Sequence, residues 1–127
     1  MLELTINERV YQFNFGMGFM REINKKVVQP VDDLKDVKQN IGLRYYVLCL
    51  IGRDIEALVE VLLAANKGLD PRVSPMLIDA YIDNPDTDIE QLFEDVLNFL
   101  RNANATKTAT VAVMEEVEKQ KARQDQN

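Results

Sequence analysis

At Gly16 the period of the hydrophobic pattern changes. Before it, Leu2, Leu4 and Ile6 alternate with Glu3 and Thr5, and Tyr11, Phe13 and Phe15 alternate with Gln12 and Asn14, which is the two-residue repeat of a half-buried strand. After it, Phe19, Met20, Ile23 and Val27 recur at intervals of three and four, the spacing of one helix face. A lone two-stranded hairpin is not stable in water, so its apolar face must lie on the helices that follow. The expected class is therefore α+β and predominantly helical. An N-terminal β-hairpin would pack on a bundle of about five α-helices. Asn7, Glu8 and Arg9 separate the two alternating runs. Glu8 stands where a tight two-residue turn prefers glycine, which points to a slightly longer turn.

The helical segments can be placed from their stripes and caps. From Ile41 to Ile51 the chain is almost wholly apolar, and composition alone permits a buried strand or a buried helix. Spacing favours a helix: Ile41, Tyr45 and Leu48 form one stripe and Leu43, Val47 and Leu50 another, as in a central element apolar on several sides. Asp54 is an N-cap for a helix from Ile55 to Asn66, with Leu58, Val59, Leu62 and Leu63 in its stripe and Gly68 closing it. Ser74 followed by Pro75 starts a short helix through Ile82. Thr87 and Glu90 have capping-box spacing before the clearest helix, in which Ile89, Leu92, Phe93, Val96, Leu97 and Leu100 share one face.

The 127 residues, 46% of them apolar, suffice for one core that buries roughly two-thirds of the unfolded chain's surface. Residues 1–107 are expected to form a single globular domain. Residues 108–127, where apolar side chains thin out, are expected to be a loosely attached helix and a disordered tail. The segment VVQPVDDLKDVKQN reads as a connection with one irregular turn.

Chemistry is restricted by what is missing. The chain has no histidine and one cysteine, Cys49, so zinc sites, histidine bases and a disulfide framework cannot be assembled within it. Cys49 lies in the most apolar run, where a thiol is inert core. The net charge of −6 works against phosphate backbones and anionic membranes, so no nucleic acid and no membrane partner is expected. No basic-then-apolar leader pattern and no spanning-length apolar run is read, which suggests a cytoplasmic protein.

The acidic stretch DNPDTDIEQLFED fails as an EF-hand. Beginning the loop at Asp83 puts Pro85 at the third position and Asp88 where glycine is needed. Its acids suit the positive end of the following helix. Ser74, between Val73 and Pro75, fits a cap better than a prosthetic-group attachment site. The GMG of FGMGFM lacks the third glycine of a dinucleotide fingerprint and the Lys-Ser or Lys-Thr of a phosphate loop. Gly16 and Gly18 are better read as a structural hinge whose backbone freedom lets a strand turn into a helix. Met17, Phe19 and Met20 beside them suit either the core or a contact surface. No catalytic residue, metal ligand or cofactor site is expected, and the chain is not expected to be an enzyme.

In this order, LTINERVYQFNFGMGFMREINKK, IGLRYYVLCLIGRDIEALVEVLLAAN and DIEQLFEDVLNFLRNANATK resemble the tail assembly chaperone family of long, flexible-tailed phages of Gram-positive bacteria. The resemblance spans roughly residues 2 to 107, and FGMGFMREIN is its strongest piece. Glu8 departs from the family's common turn glycine, and Ile55 from its frequent proline after the capping Asp. The resemblance implies a non-enzymatic protein that binds the hydrophobic, helix-forming tape measure protein and keeps it soluble while the tail tube polymerises in the host cytoplasm. Such a protein would be absent from the mature virion. In that family a ribosomal frameshift often makes a longer product that recruits the tail tube protein.

A chaperone of this kind needs accessible apolar surface. The candidate partner or self-association surface comprises Phe13, Phe15, Met17, Phe19, Met20, Tyr45 and Tyr46. A homo-oligomer is expected, because the Ile41–Ile51 element has more apolar faces than so small a domain covers. The rival class is an acidic adaptor or inhibitor that sets Asp79 to Asp95 against a basic surface, with binding that weakens steeply in salt.

Overall fold

The computed structural model describes residues 1–31 and 38–125. Strands β1 (Leu2–Ile6) and β2 (Arg9–Phe13) are followed by α1 (Met17–Asn24), a short ribbon of β3 (Val28–Pro30) and β4 (Lys38–Asn40), and then α2 (Gly42–Ile51), α3 (Ile55–Asn66), α4 (Pro75–Asp83), α5 (Ile89–Asn102) and α6 (Lys107–Asp125). Both strand pairs are antiparallel. The architecture is the expected α+β one, a hairpin on a helical bundle. Residues 32–37 of the expected connection, and the last two residues of the expected tail, lie outside the described residues.

The first hairpin is tighter than its sequence suggests. Ile6 pairs with Arg9, leaving a two-residue loop in which Asn7 and Glu8 have φ of 51° and 65°. Positive φ at both central residues is what a type I′ turn requires. Asn7 adopts it readily, and Glu8 does so at a cost of about 1 kcal/mol. The second strand consequently begins at Arg9 and ends at Phe13, before Asn14 and Phe15. Leu2, Leu4, Ile6, Tyr11 and Phe13 still form one buried face, laid on α3 by β2 and on α4 and α5 by β1.

Gly16 and Gly18 act differently from the expected hinge. Neither has positive φ; Gly16 sits at φ −86° as the residue before α1. Its N–H donates to Asn14 Oδ1 at 3.0 Å, and a Cβ there would stand 3.2 Å from the same oxygen. Nothing lies within 4 Å of a Cβ at Gly18. The strand-to-helix joint is thus an Asx turn built by Asn14. The glycine the fold needs most is Gly42, at the start of α2, where a Cβ would meet the Ile23 carbonyl oxygen at 1.9 Å. Asn24, at the end of α1, supplies the cap that Ile41 cannot, its Oδ1 accepting from Leu43 N–H at 3.2 Å.

The other caps come from the sequence pattern. Asp54 accepts from Ala57 N–H and Ser74 from Leu77 N–H. At α5 the cap is Asp88, which accepts from Gln91 N–H at 3.0 Å, while Thr87 Oγ1 donates to the Tyr81 carbonyl. Thr87 therefore falls one residue short of the capping position. Asn66, fully buried at the end of α3, ties three segments together. Its Nδ2 donates to the Gln12 and Pro71 carbonyls, and its Oδ1 accepts from Val73 N–H at 2.7 Å. At the α2–α3 corner Arg53, with φ 62°, donates to Glu90, Glu94 and the Leu50 carbonyl and lies over the Phe93 ring.

Helix α6 packs on α2 and α5. Thr106, just before the helix, and Thr110 within it are fully buried, and Thr106 Oγ1 donates to the Leu100 carbonyl at 2.6 Å. Beyond Val117 only polar side chains and one alanine remain, and residues 118–124 are exposed. The helix nonetheless continues to Asp125, through a run of Glu, Lys, Gln, Ala and Arg that are all good helix formers.

Candidate functional site

Helix α2 separates its two apolar stripes by environment. Leu43, Val47 and Leu50 are buried in the core, whereas Tyr45 and Leu48 remain 47% and 53% exposed. The core can take only one stripe, and Gly42 decides which. Its close approach to the Ile23 carbonyl turns the Leu43 side inward and leaves the Ile41, Tyr45 and Leu48 side facing out.

That outer stripe meets α6 along an open apolar groove of about 810 Å³. Ile41, Tyr45 and Leu48 form one wall, and Ala112, Val113 and Val117 form the other. Arg44, Glu116 and Lys121 stand among the polar residues that rim it. Among the described residues, neither Arg44 nor Lys121 makes an ion pair. Two helix walls presenting branched and aromatic side chains are suited to receiving a third helix by its apolar stripe.

Tyr45, which lines the groove, and Tyr46 stand edge to face, ring centroids 5.3 Å apart. Both line a smaller depression of about 350 Å³, together with Cys49, Val59, Asp54, Glu56, Glu60 and Asp79. Hydrogen bonding with the Cys49 side chain holds the Tyr45 phenol above the ordinary tyrosine value. Burial, reinforced by the Glu60 charge, pushes the Tyr46 phenol up. Both rings are therefore neutral at physiological pH and offer apolar faces with a hydroxyl tip.

The residues singled out from sequence separate into three groups. Phe13, Phe15 and Phe19 are buried, at 0%, 3% and 4% exposure. Phe15 packs edge-on against Phe19 at 5.1 Å and lies 5.9 Å from Phe99. Met20 and Tyr46 are half-buried against the core. Met17 and Tyr45 are exposed, Met17 beside a shallow depression with Phe15, Phe99 and Ala103. Only Tyr45 of the seven lines the groove.

Leu48, Ile41, Val113 and Val117 were missed as a surface by sequence reading. The available signal was the second stripe on α2, because a helix with two apolar stripes in a small domain must leave one uncovered. Among the described residues, no group of three or more Cys, Asp and Glu side chains is arranged to hold a metal ion, and no helix is long and apolar enough to cross a membrane.

No curated protein and no solved structure matches the chain. Residues 3–119 match the family model described as phage tail assembly chaperone protein, TAC. The matched span runs from the first hairpin through most of α6 and so includes the greater part of both groove walls. With all but a few terminal residues covered, this chain belongs to the phage tail assembly chaperone family.

Proposed function

We propose that this tail assembly chaperone binds the tape measure protein through the α2–α6 groove. It would take up apolar stripes of that long helical chain and keep it soluble while the tail tube polymerises. The observation that carries this reading is the stripe of exposed Tyr45 and Leu48 with half-buried Ile41, opposite Val113 and Val117. A folded protein exposes so continuous an apolar furrow where something is meant to cover it. The net charge of −6 keeps the loaded complex dispersed. Several copies would line one tape measure chain in the host cytoplasm and leave before the virion is complete. A longer frameshifted product would bring the tail tube protein to the same complex. The role is one of binding, without turnover.

Co-expression with the cognate tape measure protein, followed by native mass measurement of the soluble complex, tests the reading. Wild-type chain should keep the partner soluble, and the complex should survive about 1 M salt, where exposed ionic contacts are screened within about 3 Å. Leu48→Asp, an exposed position, should preserve the fold and weaken binding by about tenfold or more. A tape measure protein that stays insoluble with wild-type chain present would refute it. Binding that vanishes in salt but ignores Leu48→Asp would assign recognition to the acidic face from Asp79 to Asp95 instead.

A further inference from the structure

Among the described residues the most exposed large apolar side chain is Met76, at 81%, on the first turn of α4. Asp79, Ala80 and Asp83 are exposed with it, and their spacing of three, four and seven residues puts all four on one face of the helix. This face is a narrow apolar strip, Met76 and Ala80, edged by two carboxylates. The groove has the opposite design. Its walls are apolar, and its charged rim carries Arg44 and Lys121 against the single carboxylate Glu116, a net-positive island on a chain of net charge −6.

We propose that the α4 face of a second copy of this chain docks in the α2–α6 groove, Met76 entering between the walls while Asp79 and Asp83 lie toward Arg44 and Lys121. Charge complementarity selects this occupant: among the described residues Asp79 and Asp83 make no ion pair, and neither do Arg44 and Lys121 across the groove rim. Methionine suits the plug, because an unbranched thioether adapts to an irregular furrow.

The two halves of the contact also share one side of the molecule. Asp79 lines the same depression as Tyr45, and Tyr45 lines the groove. A two-fold axis can therefore seat each copy's α4 in the other's groove, closing a dimer whose two contacts are identical. In such a dimer the groove is covered before any client arrives. That the client helix then displaces α4 rests on the tape-measure reading above, whereas the dimer itself does not.

Sedimentation velocity of the full chain, from about 1 to about 500 μM, tests the proposal. Wild type should pass from monomer to dimer, and Met76→Glu should raise the dissociation constant by about tenfold or more. Asp79→Lys combined with Asp83→Lys should weaken the dimer similarly, and adding Arg44→Glu with Lys121→Glu should restore it by reversing both sides of the pairing. A wild-type chain monomeric throughout, a dimer indifferent to Met76→Glu, or a charge reversal that fails to rescue would each overturn it. Circular dichroism of every variant separates lost docking from lost fold. Client capture by Met76→Glu reads the chaperone function separately: a monomeric variant that still solubilises the tape measure protein upholds both inferences, and one that is monomeric but captures nothing sinks the groove as the client site while leaving the dimer intact.

Discussion

Gly42 lies against the Ile23 carbonyl so closely that a Cβ at position 42 would stand 1.9 Å from its oxygen and 2.9 Å from Asn24 Cα. Both neighbours are backbone, which cannot rotate away as a side chain would. Gly42→Ala should therefore destabilise the fold by about 3 kcal/mol or more. An alanine inside a helix ordinarily gains about 1 kcal/mol over glycine, so the sign of the change is decisive. Urea unfolding should show a lower midpoint at an unchanged slope, and an unchanged or raised midpoint would mean that α1 and α2 are not in this contact.

Asn66 should behave as a structural hub. Replacing it with alanine leaves Val73 N–H, which it accepts at 2.7 Å, and the Gln12 and Pro71 carbonyls without their partner in a buried setting. With orphaned buried groups costing about 1–3 kcal/mol each, a loss of about 3 kcal/mol is expected. Asn66→Asp keeps the acceptor for Val73 but sets a carboxylate against two carbonyl oxygens. It should be no better than alanine near neutral pH, and thermal melts of the two variants check the order.

At the α2–α3 corner, glycine should be a better replacement than alanine. Arg53 has φ 62°, a conformation that costs a residue with a Cβ about 1 kcal/mol and glycine almost nothing. Arg53→Ala loses the contacts to Glu90, Glu94 and Phe93 and keeps the strain. Arg53→Gly loses the same contacts and relieves it. Because the carboxylate partners are well exposed, the ion pairs themselves contribute only about 1 kcal/mol. Arg53→Gly should thus unfold about 1 kcal/mol less readily than Arg53→Ala, and equal stabilities would deny the strain.

Helices α3 and α5 were legible in the sequence because their signals are local. Asp54 caps one, and Leu92, Phe93, Val96, Leu97 and Leu100 make an unbroken stripe on the other. The hairpin was legible for the same reason, since Leu2, Leu4 and Ile6 alternate within five residues. The groove was not. Nothing near Leu48 distinguishes its stripe from that of Val47, and the choice is made by Gly42 meeting Ile23, a contact nineteen positions apart in the chain. Aromatic richness pointed instead to Phe13, Phe15 and Phe19, which the fold buries in the core. An apolar side chain carries no mark of whether the fold or a partner will cover it.

Two buried threonines, Thr106 just before α6 and Thr110 within it, should respond oppositely to the same substitution. Thr106 Oγ1 donates to the Leu100 carbonyl at 2.6 Å, whereas Thr110 Oγ1 is buried with no partner among the described residues. Valine keeps the shape of threonine and removes the hydroxyl. Thr106→Val should therefore cost about 1–2 kcal/mol by orphaning a carbonyl, and Thr110→Val should be neutral or stabilising by up to about 1 kcal/mol. A destabilised Thr110→Val variant would reveal a partner for that hydroxyl, such as an ordered water.

The alkaline limb of the stability profile should report two tyrosines. Burial raises the Tyr81 phenol, with the Asp95 charge adding to it. Burial also raises Tyr46, there with help from Glu60. The folded protein thus holds these protons more tightly than the unfolded chain, in which tyrosine titrates near about 10. Their contribution is complete below that unfolded value and is lost as the pH rises through the higher folded one. The melting temperature should fall more steeply above about pH 10 in wild type than in a Tyr46→Phe, Tyr81→Phe variant, because phenylalanine keeps the ring and has no proton to lose. Phenolate absorbance should show these two rings ionising at higher pH in the folded protein than in the unfolded chain. Identical alkaline limbs in the two proteins would exclude both phenols as the cause.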